Sequence, residues 1–322
     1  MNLLNSIDEI KLHNSAISNQ LDLENLQSYI DDAINQKIVP AIGHSQFVDL
    51  ENLRDSGTNP KQARLIQLLQ KAIVGFMIFN WADQGAVEFS NLGIHVAKSD
   101  KKLPASDKKI ISLKKQNVQA GFFNLEMAIT FLEENIDDFP IYKVGSEHLE
   151  NRSLLINTSA EFQRSGVNIN NDPRLYQTLR VYQSGMESTF IEPLLGFTIK
   201  ESLHTGILNN SLDQIHRELL RRVQKAVAYY TIYDAIPFMA ISIDSSGIFQ
   251  LSDSVGGISG NVENRSAATD RSLARAMSSY YQKAEQEVER IRKYLIVNKH
   301  QFTYTVPNEV KINDGESNTY FF

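Results

Sequence analysis

Apolar residues recur at spacings of three and four through Leu26, Ile30, Ala33, Ile34 and Ile38, the stripe of an amphipathic helix. Asp22 precedes it as a helix cap. In the phrase KIVPAIG that follows, Pro40 removes a backbone donor and Gly43 can take the left-handed conformation that ends a helix. The pattern therefore predicts a helix that stops at Pro40 and a chain that turns sharply at Gly43. A short helix over 45–54 and the loop DSGTNP come next. Pro60 suits the first turn of a helix running to about Ala82, whose second half is apolar on most sides and reads as the buried centre of a bundle. AVEFSNLGIHV then alternates around Gly93 as a small hairpin does, and 107–135 is helical again.

The pattern is written twice. At an offset of 153, Tyr29 falls on Tyr182, Ile38 on Ile191, Pro40 on Pro193 and Gly43 on Gly196. At 154, Gln70, Lys71 and Ala72 fall on Gln224, Lys225 and Ala226, and Gly93 falls on Gly247. At 163, Leu132 falls on Leu295, Asn135 on Asn298 and Phe139 on Phe302. Matching blocks in one order, separated by slowly growing gaps, mark an internal duplication. The expected organisation is an arm over 1–21, a unit over 22–142, a link over 143–172, a second unit over 173–304 and a tail over 305–322. Helices are expected at about 173–193, 211–236 and 266–297, with a second hairpin at MAISIDSSGIFQL. SEHLENRSLLINTSAEFQRSG reads as one amphipathic linking helix ending at Gly166. The fold class is thus mainly α: a duplicated helical-bundle unit, each with a small β-hairpin, in which Pro40, Gly43, Pro193 and Gly196 are the structural hinges.

Composition narrows the chemistry. There is no cysteine, so disulfides, thiolate metal sites and a cysteine nucleophile are excluded. A net charge of −6 argues against bulk neutralisation of nucleic-acid phosphate. MNLLNSIDEIKLHNS lacks a basic stretch followed by an apolar core, and AIVGFMIFNWA, Ala72 to Ala82, is short of the ~20 apolar residues that cross a bilayer. The expectation is a soluble protein made in a cytoplasm, with no membrane partner.

Candidate reactive groups are scattered. His13, His44, His95, His148, His204, His216 and His300 include no pair at helical metal spacing and read as core or surface histidines. The carboxylates of FLEENIDDFP crowd a helix end as a solvated face does. SVGGISG, 254–260, lacks the Lys and Ser/Thr of a phosphate loop and reads as a flexible loop, like KSDKKLPASDKK in the first unit. Lys101, Lys102, Lys108, Lys109, Lys114 and Lys115 form a basic patch read as a solvated helix face, with contact to nucleic acid or an acidic neighbour as the sharper reading. Arg217, Arg221, Arg222 and Lys225 form a similar basic cluster, open to the same two readings and equally to a subunit contact. The tail ends on Tyr320, Phe321 and Phe322, either a frayed terminus or a docking arm with aromatic anchors. No catalytic, cofactor-binding or metal residue is assigned, no cofactor is expected, and the chain does not read as an enzyme.

An extended arm IDEIKLHNSAIS, the helix ending KIVPAIG, the QKA-containing helix, the Gly93 hairpin, FLEENIDDFP and the linking phrase INTSAEFQRSGVNINNDPRLYQTLR together resemble two-unit proteins encoded by phages and prophages of Bacteroidetes, over nearly the whole chain. Each unit in turn resembles the head-tail connector (adaptor) proteins of tailed phages, and the doubled chain the neck ring proteins of crAss-like phages. The resemblance implies a virion structural protein at the neck of a tailed phage, assembled in the host cytoplasm. It implies a homo-oligomeric ring of about twelve copies, or about six if each doubled chain fills two places. Its partners would be the portal protein, neighbouring neck or tail proteins, and DNA passing through without sequence-specific binding. Two other readings stay open: a non-viral helical repeat scaffold for protein-protein interaction, and, third, an enzyme of unknown type.

Overall fold

Ser6 accepts a hydrogen bond from the Glu9 N–H at 3.2 Å while Glu9 Oε2 accepts the Asn5 N–H at 2.7 Å, a reciprocal cap that starts helix α1, Ile7–His13. Leu3, Leu4 and Ile10 are fully buried, so the arm expected to be extended is instead a short helix docked on the first core. The computed structural model describes residues 3–15, 17–18, 21–84, 87–90, 93–96, 106–239, 241–244, 247–250 and 270–302. The loop 254–260, Lys101, Lys102 and the aromatic tail Tyr320–Phe322 lie outside the described residues.

Helix α2, Glu24–Ala33, runs through a π-helical turn, Ile34–Ile38, into α3, Val39–Ile42. The helix does not stop at the proline. Pro40 has no N–H for the carbonyl four residues back, and the turn before it widens so that the Val39 N–H reaches Ile34 O. The helix ends at Gly43, at φ 86, whose N–H bonds Val39 O at 2.9 Å and whose carbonyl starts α4, His44–Ser56. Helix α5, Pro60–Gln84, is the buried centre: Leu65, Leu69, Ala72, Ile73 and Met77 are closed to solvent. Pro60–Ala82 is, by length and hydropathy, apolar enough to cross a membrane, yet 61% of its most apolar window is buried within the protein. Its core packing consumes that apolar surface.

Val87–Ser90 (β1) pairs antiparallel with Gly93–Val96 (β2). Helix α6, Asp107–Glu134, returns along α5; at the crossing, a Cβ on Gly75 would lie 2.7 Å from Asn117 O, so the two backbones meet directly. A 3₁₀ turn, Ile136–Asp138, leads to α7, Pro140–Lys143, and α8, Ser146–Asn151, which fold back over α3 and α4.

The expected single linking helix is broken. After α8 the chain turns through Arg152–Thr158 and starts α9, Ser159–Arg164. That start repeats α1: Thr158 accepts the Glu161 N–H at 3.1 Å, and Glu161 Oε2 accepts the Asn157 N–H at 2.8 Å. Gln70 Nε2 donates to Leu3 O and Gln224 Nε2 to Leu155 O, both at 2.8 Å. The stretch read as a link is therefore the arm of the second repeat, which follows with α10, Pro173–Met186, a π turn, Glu187–Ile191, and α11, Glu192–Leu195. Gly196, at φ 73, leads into α12, Phe197–Leu208, a helix absent from the sequence reading. Then come α13, Gln214–Met239, the pair β3, Ile241–Asp244, and β4, Gly247–Gln250, and α14, Asp270–Val297. Each repeat has its own core, one running from Leu3 to Tyr142 and the other from Leu155 to Phe302.

Candidate functional site at the joint between the repeats

Side chains from both repeats hold backbone groups of the segment 151–159. From the first, Glu126 of α6 takes the Ser159 N–H at 2.9 Å and the Ser159 Oγ–H at 2.6 Å. From the second, Glu187 of the π turn accepts the Leu155 N–H at 2.9 Å, while the Tyr176 hydroxyl and Gln183 Nε2 both donate to Ile156 O, at 2.5 and 3.0 Å. Asn151 Nδ2 reaches back to Ala41 O at 2.8 Å, next to the Pro40 turn. Buried peptide groups need such partners, and here they come from elements on either side of the joint.

Beneath α8 lies a buried charge cluster. Glu133, only 5% exposed, accepts the Tyr142 hydroxyl at 2.6 Å and stands 3.0 Å from His148 Nδ1. Arg152 Nε lies 3.3 Å from Glu133 Oε2, an ion-pair contact outside hydrogen-bond geometry, while Arg152 Nη2 donates to Asn210 Oδ1 at 2.7 Å in the second repeat. Arg152 thus ties a buried carboxylate of one repeat to the α12–α13 corner of the other. Glu133 belongs to FLEENIDDFP, read as a solvated face; its neighbours Asp137 and Asp138 pair with Lys143 and Lys61 at the surface, but Glu133 itself points inward. His148 is a core histidine bound to that carboxylate.

Burial sets the titration of the joint. It pushes the Glu187 carboxyl up to about 7, against the hydrogen bonds from Gln183 and Leu155 and the nearby charges of Lys200 and Arg180, which all favour the anion. Burial likewise raises Glu126, opposed by its two bonds from Ser159. The Tyr142 hydroxyl is held in its neutral form, first by burial and then by the Glu133 charge.

A cleft of about 600 Å³ opens between the repeats, walled by Lys37, Pro40 and Phe122 on one side and Gln177, Arg180 and Val181 on the other. Three of its charged groups are engaged by protein: Glu126 holds Ser159, Arg180 Nη2 donates to Glu150 O at 2.9 Å, and Lys37 lies over the Phe122 ring. The hinge residues divide. Pro40 lines the cleft, whereas Gly43 and Gly196 mark the corners of their repeats. Among the described residues no group of three or more His, Asp or Glu side chains is placed to hold a metal ion.

The basic clusters are also redistributed. Lys114 is only 4% exposed, its Nζ 4.9 Å from the Phe79 ring centre, so the lysine run is not a uniformly solvated face. Arg221 and Arg222 both pair with Glu218, and Arg222 packs on the Tyr294 ring.

Fold and joint together define a mainly helical tandem-repeat protein. The chain belongs to the Family of unknown function (DUF6712), whose model matches it twice, over residues 38–151 and 191–313. Neither a curated protein nor a solved structure matches the chain.

Proposed function

We propose that the chain is a virion structural protein: a head-tail connector that forms a neck ring between portal and tail and surrounds the DNA channel. One observation carries the reading. Two copies of a helical unit lie in one chain and are fastened by the polar joint around Glu133, Arg152 and Glu187. A subunit built that way holds two related units in a fixed relation, which supports a contact that repeats around a closed ring. The connector-like form of each unit, a helical bundle with a hairpin attached, agrees with this reading. Exposed Phe123 and Met127 on α6 and Val181 on α10 offer apolar contact surface for neighbouring subunits. The net charge of −6 suits a wall past which DNA slides without being gripped. A non-viral helical scaffold shares the duplication but has no need of ring closure.

Mass photometry and negative-stain microscopy of the purified protein, alone and with portal protein, test the reading. The expected species is a closed ring of about twelve chains, or about six. A chain that stays monomeric at high concentration in the presence of portal overturns it.

A further inference from the structure

The two copies of the unit differ in exposed charge. On α2, Glu24, Asp31 and Asp32 are exposed and, at spacings of seven and eight, share one face, and no Lys or Arg occurs between 22 and 36. Their counterparts on α10 are Gln177, Ser184 and Gly185, and α10 carries Arg174 and Arg180 with no carboxylate. The second repeat reverses the sign elsewhere. Where α13 meets α14, a hollow of about 210 Å³ is lined by Arg221, Arg222, Lys225 and Arg290 together with Glu218 and Glu287. The counterparts of Arg221, Arg222 and Arg290 in the first repeat are Gln67, Leu68 and Met127. One repeat thus bears anions where its twin has none, and the other bears arginines where its twin has neutral side chains.

The hollow holds more cation than its own carboxylates satisfy. Glu218 serves two arginines, accepting from Arg222 Nη2 at 2.9 Å and from Arg221 Nη1 at 3.4 Å, and Glu287 accepts from Arg290 Nη1 at 2.6 Å. Four cations on two carboxylates leave two positive charges in excess. The Arg221 and Arg290 side chains remain 75% and 60% exposed, and Arg222 Nε is buried with no acceptor among the described residues. Arginine forks with open N–H groups suit further carboxylates, which they can take through paired bonds. Helix α2 contributes no residue to the hollow, and its carboxylates are exposed where they stand, so a contact between the two joins separate molecules.

We propose that the acidic face of α2 in one molecule seats on the α13–α14 hollow of a second copy, with Glu24, Asp31 and Asp32 answering Arg221, Lys225 and Arg290. The two surfaces are opposite in sign and lie in different repeats, so every molecule carries one of each. The contact is heterologous: each molecule gives one face and receives the other, and such contacts close into a ring where the rotation permits. Arg174 and Arg180 turn α10 away from the same hollow, so the second repeat does not compete for the seat of the first. The inference rests on the ring reading, to which it supplies the contact between chains.

Carbodiimide coupling of the full chain, mixed from isotope-labelled and unlabelled protein with portal protein present, tests the contact. The expected product is an amide between Lys225 of one molecule and Glu24, Asp31 or Asp32 of another, read by mass spectrometry of peptides that join a labelled chain to an unlabelled one. Charge reversal supplies an independent readout by sedimentation. Arg221→Glu with Lys225→Glu leaves Arg222 and Arg290 on their carboxylates, and Asp31→Lys with Asp32→Lys reverses the other face. Each pair of substitutions is expected to weaken self-association at least about tenfold, and an equal mixture of the two reversed chains to recover it. A ring that lacks the amides, or that both reversed chains form as readily as the unsubstituted chain, overturns the contact and leaves the ring. Duplex DNA binding lost by the Arg221→Glu, Lys225→Glu chain, with its self-association unchanged, assigns the hollow to nucleic acid and also overturns the contact. Open filaments joined by the same amides uphold the contact and overturn the ring, whereas a chain that stays monomeric with portal overturns both.

Discussion

Glu187 carries a carboxyl that burial drives up to about 7 from an ordinary 4.5, and its hydrogen bonds do not reverse the shift. A carboxyl raised in the folded chain binds its proton there while the unfolded chain has already released it. Its contribution to stability is therefore present in full below about pH 4.5 and is gone above about pH 7. Glu187→Gln keeps an oxygen to accept the Leu155 N–H and removes the titration. Denaturant unfolding at a series of pH values is expected to show the variant more stable by roughly 3 kcal/mol above pH 7 and indistinguishable at pH 4. A pH dependence equal in the two proteins would rule out a buried, raised carboxyl at 187. Glu133 is buried too, but with Arg152 and His148 beside it. Arg152→Ala removes one cation and is expected to cost about 3 to 5 kcal/mol in the same measurement, far more than loss of an exposed pair such as Arg221 with Glu218. None of this was legible in the sequence. Glu133 stands in an acidic run, its partners lie in segments joined by no helical spacing, and the sign of its environment is set by packing across the joint.

At the scale of elements, the duplication and most helix positions were legible, because apolar stripes and the glycine corners survive copying. What escaped were changes in hydrogen bonding that leave the apolar pattern alone. A proline reads as a stop, yet widening one turn lets the backbone pass it, and both repeats do this at the same place. The second arm escaped for a different reason. Its match to the first lies in a cap, Asn-Ser-x-x-Glu against Asn-Thr-x-x-Glu, and its apolar residues read equally well as one continuous linking helix. If the two caps are copies of one device, they respond alike. Ser6→Ala and Thr158→Ala each remove a side-chain acceptor from the third helical N–H and are expected to cost about 1 kcal/mol. Chemical denaturation of the two variants checks this, and a negligible effect at either position means that its helix start is held by other contacts. The corners allow a second comparison. Gly43→Ala and Gly196→Ala both place a Cβ at positive φ with extended ψ, a region held almost only by glycine, and chemical denaturation is expected to show a loss of roughly 1 to 3 kcal/mol at each, the larger at Gly43, where the Cβ would also press on the Glu147 carboxylate.

For the whole molecule, the consequence of the joint is mechanical. Two cores that share no buried residues would unfold independently if a slack tether joined them. Here the tether is held from both sides, by Glu126 and Glu133 of the first repeat and by Tyr176, Gln183 and Glu187 of the second. Breaking the repeats apart would strand Ser159, 1% exposed, without Glu126 and take Arg152 from the buried Glu133. Each stranded buried polar group costs about 1 to 3 kcal/mol, and the charged one more, so separation is unfavourable until one core has melted. Differential scanning calorimetry of the full chain is therefore expected to show one transition, with equal calorimetric and van't Hoff enthalpies. Glu126→Ala combined with Arg152→Ala removes the two carboxylate ties between the first repeat and the segment 152–159, with no apolar core side chain changed. That variant is expected to split the endotherm into two, the lower one belonging to the repeat with the weaker core. Two transitions in the unsubstituted chain, or a single unsplit one in the double variant, would show that the polar joint does not couple the repeats. The proposed ring would need that coupling, because a hinge between the halves of its subunit would let it close at more than one size.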